Sequence, residues 1–231
     1  MFNVEDVGTY EVRPETLMVY ITVDPARSNK KGTANTAMAV QGVDYAGNKY
    51  LLDGYDHKMD LTERWTRMRD LWAKWKQNPG VQGVNVGYEK FGAESDLQYF
   101  QERMRIEKVS FEITELAWPR DGEGSKTDRV QRLSPDFKLG RYFTPYPTDS
   151  ERLTKDQRSM LESGYEYRIS RQIKRKDQDG NVYDLSERLK MQISYFPFGL
   201  KDLIDAVSRI YDMNPVTPLI VDQSQLEPEY V

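Results

Sequence analysis

Four carboxylates draw attention in this 231-residue sequence because of where they fall. Asp24 closes the apolar run Leu17-Met-Val-Tyr-Ile-Thr-Val and precedes Pro25, and Glu89 closes the Val-rich run from Val81 to Tyr88. Asp202 and Asp205 open an apolar segment near the C-terminus, and three-residue spacing on a helix puts both on one face. Hard divalent cations such as Mg²⁺ and Mn²⁺ prefer oxygen ligands, so acids converging from separate elements suit them. Two such ions, about 3.5–4 Å apart, would serve phosphodiester cleavage, one activating water and the other stabilising the departing 3′ oxygen. On spacing alone, Asp205 could complete the second metal position or hold a ligand in place from behind. Taken singly, each acid also suits a turn former or a helix cap.

Other chemistries are narrowed by composition. The absence of cysteine excludes disulfides, thiolate-bound zinc and thiol nucleophiles, so any metal must sit on oxygen or on the single His57. A lone histidine is more often a satisfied residue than a ligand, and Asp53 and Asp56 beside it are equally open to a structural reading. Ser-His-Asp hydrolysis has only that histidine and no Gly-x-Ser-x-Gly elbow. The 37 acidic and 33 basic residues leave a formal charge of −4, unpromising for a nucleic-acid partner unless the distribution compensates. Basic residues do concentrate, from Lys126 to Arg141 and from Arg168 to Lys176. Lys126, Arg129, Arg132 and Arg141 could contact DNA phosphates without reading sequence, or form a solvated helix face. Arg168, Arg171, Lys174, Arg175 and Lys176 could guide a strand, or merely blunt an exposed sheet edge.

The elements that must position these groups follow from periodicity. Leu17 to Asp24 is β-rich and ends at Pro25, which cannot continue a central strand. Ala34 to Val43 and Lys49 to Tyr55, joined by the turn Tyr45-Ala-Gly-Asn48, make it a three-strand meander. Asp60 then caps a helix in which Leu61, Trp65, Met68, Trp72 and Trp75 form an apolar stripe, read as core rather than a base-stacking surface. Val81 to Glu89 is the next strand, a helix capped by Ser95 follows through Met104, and Val109 to Trp118 alternates as a fifth strand. A helix is expected from Ser125 to Leu133 and another carrying Leu203, Ile204, Val207 and Ile210. Between them, Tyr165 to Lys176 and Val182 to Tyr195 read as two long arms of a β-hairpin around Asp177-Gln-Asp-Gly-Asn181. The expected organisation is a lead or linker over 1–16, an α/β domain over 17–213 with a hairpin insertion at 164–195, and a tail at 214–231. No apolar run approaches the roughly 20 residues of a membrane span, and the N-terminus has no signal-peptide pattern.

Around the acids the chain resembles the C-terminal nuclease domain of the large terminase subunit of tailed bacteriophages. Val19-Tyr-Ile-Thr-Val-Asp24-Pro-Ala, with Thr33-Ala-Asn-Thr36-Ala-Met-Ala-Val after it, is similar to that family's first aspartate strand and the small-residue strand that follows. Val86-Gly-Tyr-Glu89-Lys-Phe-Gly92-Ala is similar to its second acid-bearing strand. Lys126-Thr-Asp-Arg129-Val-Gln-Arg-Leu133-Ser-Pro135 with Leu139-Gly140-Arg141-Tyr-Phe143 resembles its Lys-x-x-Arg helix and short strand, the most specific stretch of the match. Phe196-Pro-Phe-Gly-Leu-Lys-Asp202-Leu-Ile-Asp205-Ala206 resembles its closing acidic helix, although many relatives carry two adjacent acids where this chain has Lys201-Asp202.

The resemblance implies an RNase H-like mixed five-stranded sheet flanked by helices, and a two-metal endonuclease that cuts concatemeric viral DNA with little sequence preference. It implies Asp24, Glu89, Asp202 and Asp205 as catalytic and metal-binding residues, with Asp202 the favoured ligand of the last pair, and two Mg²⁺ or Mn²⁺ ions as cofactors. It favours the DNA-contact reading of Lys126, Arg129, Arg132 and Arg141. Double-stranded DNA, a packaging ATPase domain, a small terminase subunit and a portal are the implied partners, in the cytoplasm of an infected bacterium and with no membrane. No Gly-x-x-x-x-Gly-Lys-Ser/Thr loop occurs, so ATPase activity is not expected from these residues. A resolvase- or transposase-type enzyme of the same fold, and a non-enzymatic DNA-binding virion component, are the alternative readings.

Overall fold

The computed structural model describes residues 3–26, 34–89, 94–117, 126–146 and 153–219. Its centre is β2 (Leu17–Asp24), almost wholly buried and hydrogen-bonded on both sides. Side chains alternate across a strand. Val19, Ile21 and Val23 therefore enter one core, while Tyr20, Thr22 and Asp24 face the other way. On one side β2 pairs antiparallel with β3 (Thr36–Val43), which pairs antiparallel with β4 (Lys49–His57). On the other it pairs in parallel with β5 (Val81–Glu89), and β5 with β6 (Ile113–Leu116).

These five strands, in the order β4-β3-β2-β5-β6, are the expected mixed sheet. Two short strands extend it beyond β4, where β7 (Tyr142–Pro145) pairs with β4 and β1 (Gly8–Tyr10) with β7, both in parallel. The sheet thus has seven strands. Three-residue β1 lies in the stretch expected to be a lead, and an element so short carries no detectable alternation.

One face of the sheet is covered by α1 (Leu61–Lys76) and α2 (Glu94–Glu107). The tryptophan stripe is core: Trp65 is fully buried and stacks on Phe100 and Phe111, with ring centroids 5.8 and 5.9 Å away. Asp60 caps α1 as expected, its carboxylate accepting from the Glu63 N–H. The other face is covered by α3 (Lys126–Gln131), α4 (Ser134–Lys138), α6 (Leu185–Tyr195) and α7 (Asp202–Ser208). A 3-10 turn, Arg209–Met213, continues α7. A separate short helix, α5 (Lys155–Glu162), is closed by a reciprocal cap between Thr154 and Gln157.

The long hairpin is corrected. Only β8 (Lys174–Lys176) and β9 (Val182–Asp184) pair, around a turn in which Asp177 accepts from the N–H groups of Asp179 and Asn181. Beyond them the expected second arm is α6. Asp184 caps it, and Leu185, Leu189 and Ile193 recur every four residues into the core beneath. That helical period outweighs the weak alternation of the same stretch.

Side chains from the sheet fasten α7 directly: Thr22 Oγ1 donates to the Ala206 carbonyl at 2.7 Å and Gln41 Nε2 to that of Val207 at 3.1 Å. Both bonds are buried, where an unpaired polar group would cost about 1–3 kcal/mol. Among the described residues no helix is long and apolar enough to cross a membrane. The basic loop 27–33, the segment 90–93, Trp118, Ser125 and residues 220–231 of the expected tail lie outside the described residues.

Candidate metal centre

Parallel pairing of β2 with β5 sets the site. Thr22 lies beside Gly87 and Val23 beside Tyr88, so the next residues, Asp24 and Glu89, leave the sheet side by side at the same end. Carboxyl ends of parallel strands are where α/β folds expose functional groups. Two residues before Glu89, Gly87 leaves room for the turn after α7, since a Cβ there would lie 2.7 Å from Met213 Sδ. Asp205 arrives from α7, which Thr22 and Gln41 hold against this face. Oxygens of Asp24, Glu89 and Asp205 all fall within 4.8 Å of one another, and all three residues are buried.

Three cations answer this buried charge. Lys126 Nζ lies 2.8 Å from Asp24 Oδ2, 3.2 Å from Asp205 Oδ2 and 3.9 Å from Asp202 Oδ1. Arg129 forks onto Asp205, Nε to Oδ1 at 3.1 Å and Nη2 to Oδ2 at 2.8 Å, and reaches to 3.8 Å from Glu89. Arg209 places Nε 3.2 Å from Glu89 Oε2, while its other nitrogens donate to Asp212 and to the Ala117 carbonyl. Glu89 nonetheless has two buried oxygens with no directed hydrogen bond among the described residues.

Protonation follows from this enclosure. Burial pushes the Asp24 carboxyl up to about 8; Lys126 pulls it back, and Glu89 and Asp205 reinforce the rise. Burial raises Glu89 as well, against Arg209 and Arg129. For Lys126 burial works against the ammonium, yet Asp24 and Asp205 together hold it above its ordinary value. Acids that resist ionising without a cation, plus unsatisfied oxygens on Glu89, form a donor set that fits a hard divalent ion.

Asp202 stands one turn earlier and outside the three-acid cluster, its Oδ2 accepting from the Asn35 N–H at 2.8 Å. It belongs to a closed ring of contacts. Asn35 Nδ2 donates to Asp56 Oδ1 at 3.1 Å, Gln192 Nε2 donates to Asp56 Oδ2 at 3.0 Å, and Gln192 Oε1 accepts from the Ile204 N–H at 3.0 Å. The ring ties β4, the approach to β3, α6 and the first turn of α7 together. Burial pushes Asp56 up to about 6, with Arg188 and its amide partners opposing.

The expected residues therefore divide. Asp24, Glu89 and Asp205 meet, while Asp202, favoured from the resemblance, lies at the margin. Of the four basic residues expected to contact DNA, Lys126 and Arg129 point into the acids. Arg132 pairs with Asp212 at 2.6 Å, and Arg141 is exposed. His57 is satisfied between the Tyr183 hydroxyl at 3.0 Å and Glu63 at 3.2 Å, as its lone occurrence suggested. Arg209, Asn35 and Gln192 were missed. Arg209 carried a signal, a cation four residues after Asp205, and Gln192 another, a polar residue on an otherwise apolar helical face.

No protein-family model and no curated protein matches the sequence. Solved structures do. The manganese-soaked human cytomegalovirus terminase nuclease domain superimposes with a TM-score of 0.50 at 14% identity, covering 93% of this chain and 89% of that one. The Thermus phage P74-26 large terminase nuclease domain gives 0.45 at 11% identity, covering 90% and 91%. The fowlpox virus Holliday junction resolvase gives 0.30 at 21% identity, covering 65% and 87%. The chain has the RNase H-like fold of a terminase nuclease domain, and at these identities the likeness speaks to the fold alone.

Proposed function

We propose that residues 17–213 form a divalent-metal-dependent DNA endonuclease that cuts concatemeric viral DNA during genome packaging, with little sequence specificity. The observation that carries this reading is the meeting of Asp24, Glu89 and Asp205, buried and within 4.8 Å of one another, at the carboxyl ends of adjacent parallel strands. These three would hold Mg²⁺ or Mn²⁺, with Asp202, buried at the margin of the cluster, available for a second ion. Bound there, the ions would supply Lewis-acid charge to activate water and to stabilise the departing 3′ oxygen.

The chain's own residues supply the rest. Arg129 and Arg209 fix the carboxylates of Asp205 and Glu89 from behind, limiting their freedom before any ion arrives. Lys126 supplies positive charge among the acids, and its partly exposed side chain would let the ammonium turn toward a DNA phosphate once a divalent ion takes over the neutralisation. Arg132 and exposed Arg141 extend that charge along the surface, where contacts to the backbone would position DNA without reading its bases. In a packaging setting the domain would act with an ATPase motor, a small terminase subunit and a portal, in the host cytoplasm.

Supercoiled plasmid tests the reading directly. Conversion to nicked and linear forms should require Mg²⁺ or Mn²⁺, stop in EDTA, and fall at least 100-fold in Asp24→Ala. Cutting that survives both EDTA and the substitution would exclude it.

A further inference from the structure

On the opposite face of the sheet, away from the acids, lies a cavity of about 440 Å³ between the C-terminal half of α1, the β1–β4 edge and the stretch 166–175. Five cations line it, Arg13, Lys74, Arg168, Arg171 and Arg175, against the carboxylates of Asp53 and Glu166. Buried Asp53 is already answered twice, by Lys74 at 2.5 Å and by Arg175. That leaves Arg13, Arg168 and Arg171 against the single carboxylate of Glu166.

Arg13 is the unusual one. It is 2% exposed, and among the described residues its guanidinium donates to neutral acceptors, the carbonyls of Pro14, Glu15 and Pro79 and the side chain of Asn78. Among the described residues its Nε has no hydrogen-bond partner and no carboxylate lies within ion-pair distance. Burial pushes its pKa down to about 10. The contacts at Asn78 and Pro79 explain why the side chain sits at the end of α1, where a helix dipole favours a cation. The bridge between Val12 and Ile169, with the Arg13 N–H donating to the Arg168 carbonyl at 2.9 Å, brings Arg168 to the same cavity, and Arg171 lines it as well. Arg168 donates from Nε to the Arg13 carbonyl at 3.1 Å and lies 3.6 Å from the exposed Glu15 carboxylate, with no closer ion pair among the described residues.

Apolar and aromatic side chains share the walls with these charges: Trp75, Leu52 and Ile173, with Tyr10 and Tyr167 alongside, the last under Arg13 at 5.2 Å from its ring centroid. Excess positive charge beside flat aromatic faces, in a volume of drug-like size, suits an anion joined to an aromatic ring. We propose that this cavity binds a nucleotide-sized phosphate ligand, Arg168 and Arg171 holding the phosphate over the buried charge of Arg13 while the aromatic wall takes the base. The source is a free nucleotide or the phosphorylated end of a nucleic-acid strand. The site stands independently of the metal centre.

Calorimetric titration of the full chain should use inorganic phosphate, a nucleoside 5′-monophosphate and a 5′-phosphorylated hexanucleotide. The monophosphate should bind, at least tenfold more tightly than phosphate alone. The single variant Arg171→Ala, at an exposed position, and the double variant Arg168→Ala/Arg171→Ala, checked for an intact fold by its melting temperature, should weaken it, the double at least tenfold, while Asp205→Asn should leave it unaltered. Equal affinity for monophosphate and hexanucleotide assigns a free nucleotide; tighter hexanucleotide binding assigns a strand end. No binding by any probe, equal affinity for phosphate and monophosphate, or indifference to the double substitution overturns the proposal.

Discussion

Replacing Asp24 with asparagine should stabilise the metal-free protein, by an amount set by pH. Asp24 is 4% exposed, and burial pushes its carboxyl up to about 8. In an unfolded chain the same group titrates near about 3.9. Below about pH 4 both states hold the proton and the group contributes no pH dependence. As pH rises toward about 8 the unfolded chain releases its proton while the folded chain retains it, so folding is opposed progressively; above about 8 the penalty is constant. Four pH units at about 1.4 kcal/mol each set a ceiling near 6 kcal/mol. Asparagine keeps the volume and removes the charge, but also gives up the 2.8 Å ion pair with Lys126, which keeps Asp205 at 3.2 Å. A net gain of about 2 kcal/mol is expected at pH 8, roughly 4–8 °C in Tm for a chain of this size, shrinking toward zero at pH 4. Thermal unfolding followed by circular dichroism in EDTA, from pH 4 to 9, measures both proteins. A gain independent of pH, or a loss at pH 8, refutes the reasoning. With excess Mn²⁺ the order should reverse, since only the wild type gains from binding: about 2.7 kcal/mol at a hundred times Kd.

Asp205→Asn should reduce plasmid cutting at least tenfold more than Asp202→Asn, because Asp205 lies in the acid cluster and Asp202 outside it; equal losses would restore Asp202 as a principal ligand. Gln192→Leu should lower stability by about 1–3 kcal/mol, measured by urea unfolding, since it removes the hydrogen bond to Asp56 Oδ2 and strands the Ile204 N–H in the interior. It should also raise the Mn²⁺ concentration needed for cutting; unchanged metal dependence would confine the ring of contacts to a structural role. Trp65→Ala should cost about 3–5 kcal/mol by the same assay, as expected for an aromatic core residue, with activity per folded molecule retained.

Much of the site was legible because strands announce their ends. Apolar runs stopped at Asp24 and Glu89, and parallel neighbours in the sheet then had to bring them together. The five central strands followed from the same runs, as did the burial of the tryptophans. Asp205 could not be told from Asp202, because three residues on a helix place both on one face and only the seating of α7 decides which one reaches in. That seating comes from Thr22 and Gln41, ordinary strand residues whose hydrogen bonds span more than 160 positions of sequence. Lys126 and Arg129 were recognised as functional, but as contacts to DNA, since charge pattern does not reveal whether a cation faces solvent or a buried acid. The stretch 185–195 was misassigned because alternation and a four-residue period coincide over short runs.

The fastening of α7 also says which changes in chain length the molecule can absorb. Its height on the sheet is fixed at Ala206 and Val207 by bonds from β2 and β3, not by the connection that leads into it. A residue inserted within 197–200 would lengthen a loop and leave Asp205 where it is. One inserted between Asp205 and Ala206 would rotate the acid by about 100° about the helix axis and turn it away from Asp24 and Glu89. Natural variation in length should therefore gather ahead of Lys201, while the interval from Asp205 to Val207 stays invariant in every chain that keeps this metal centre.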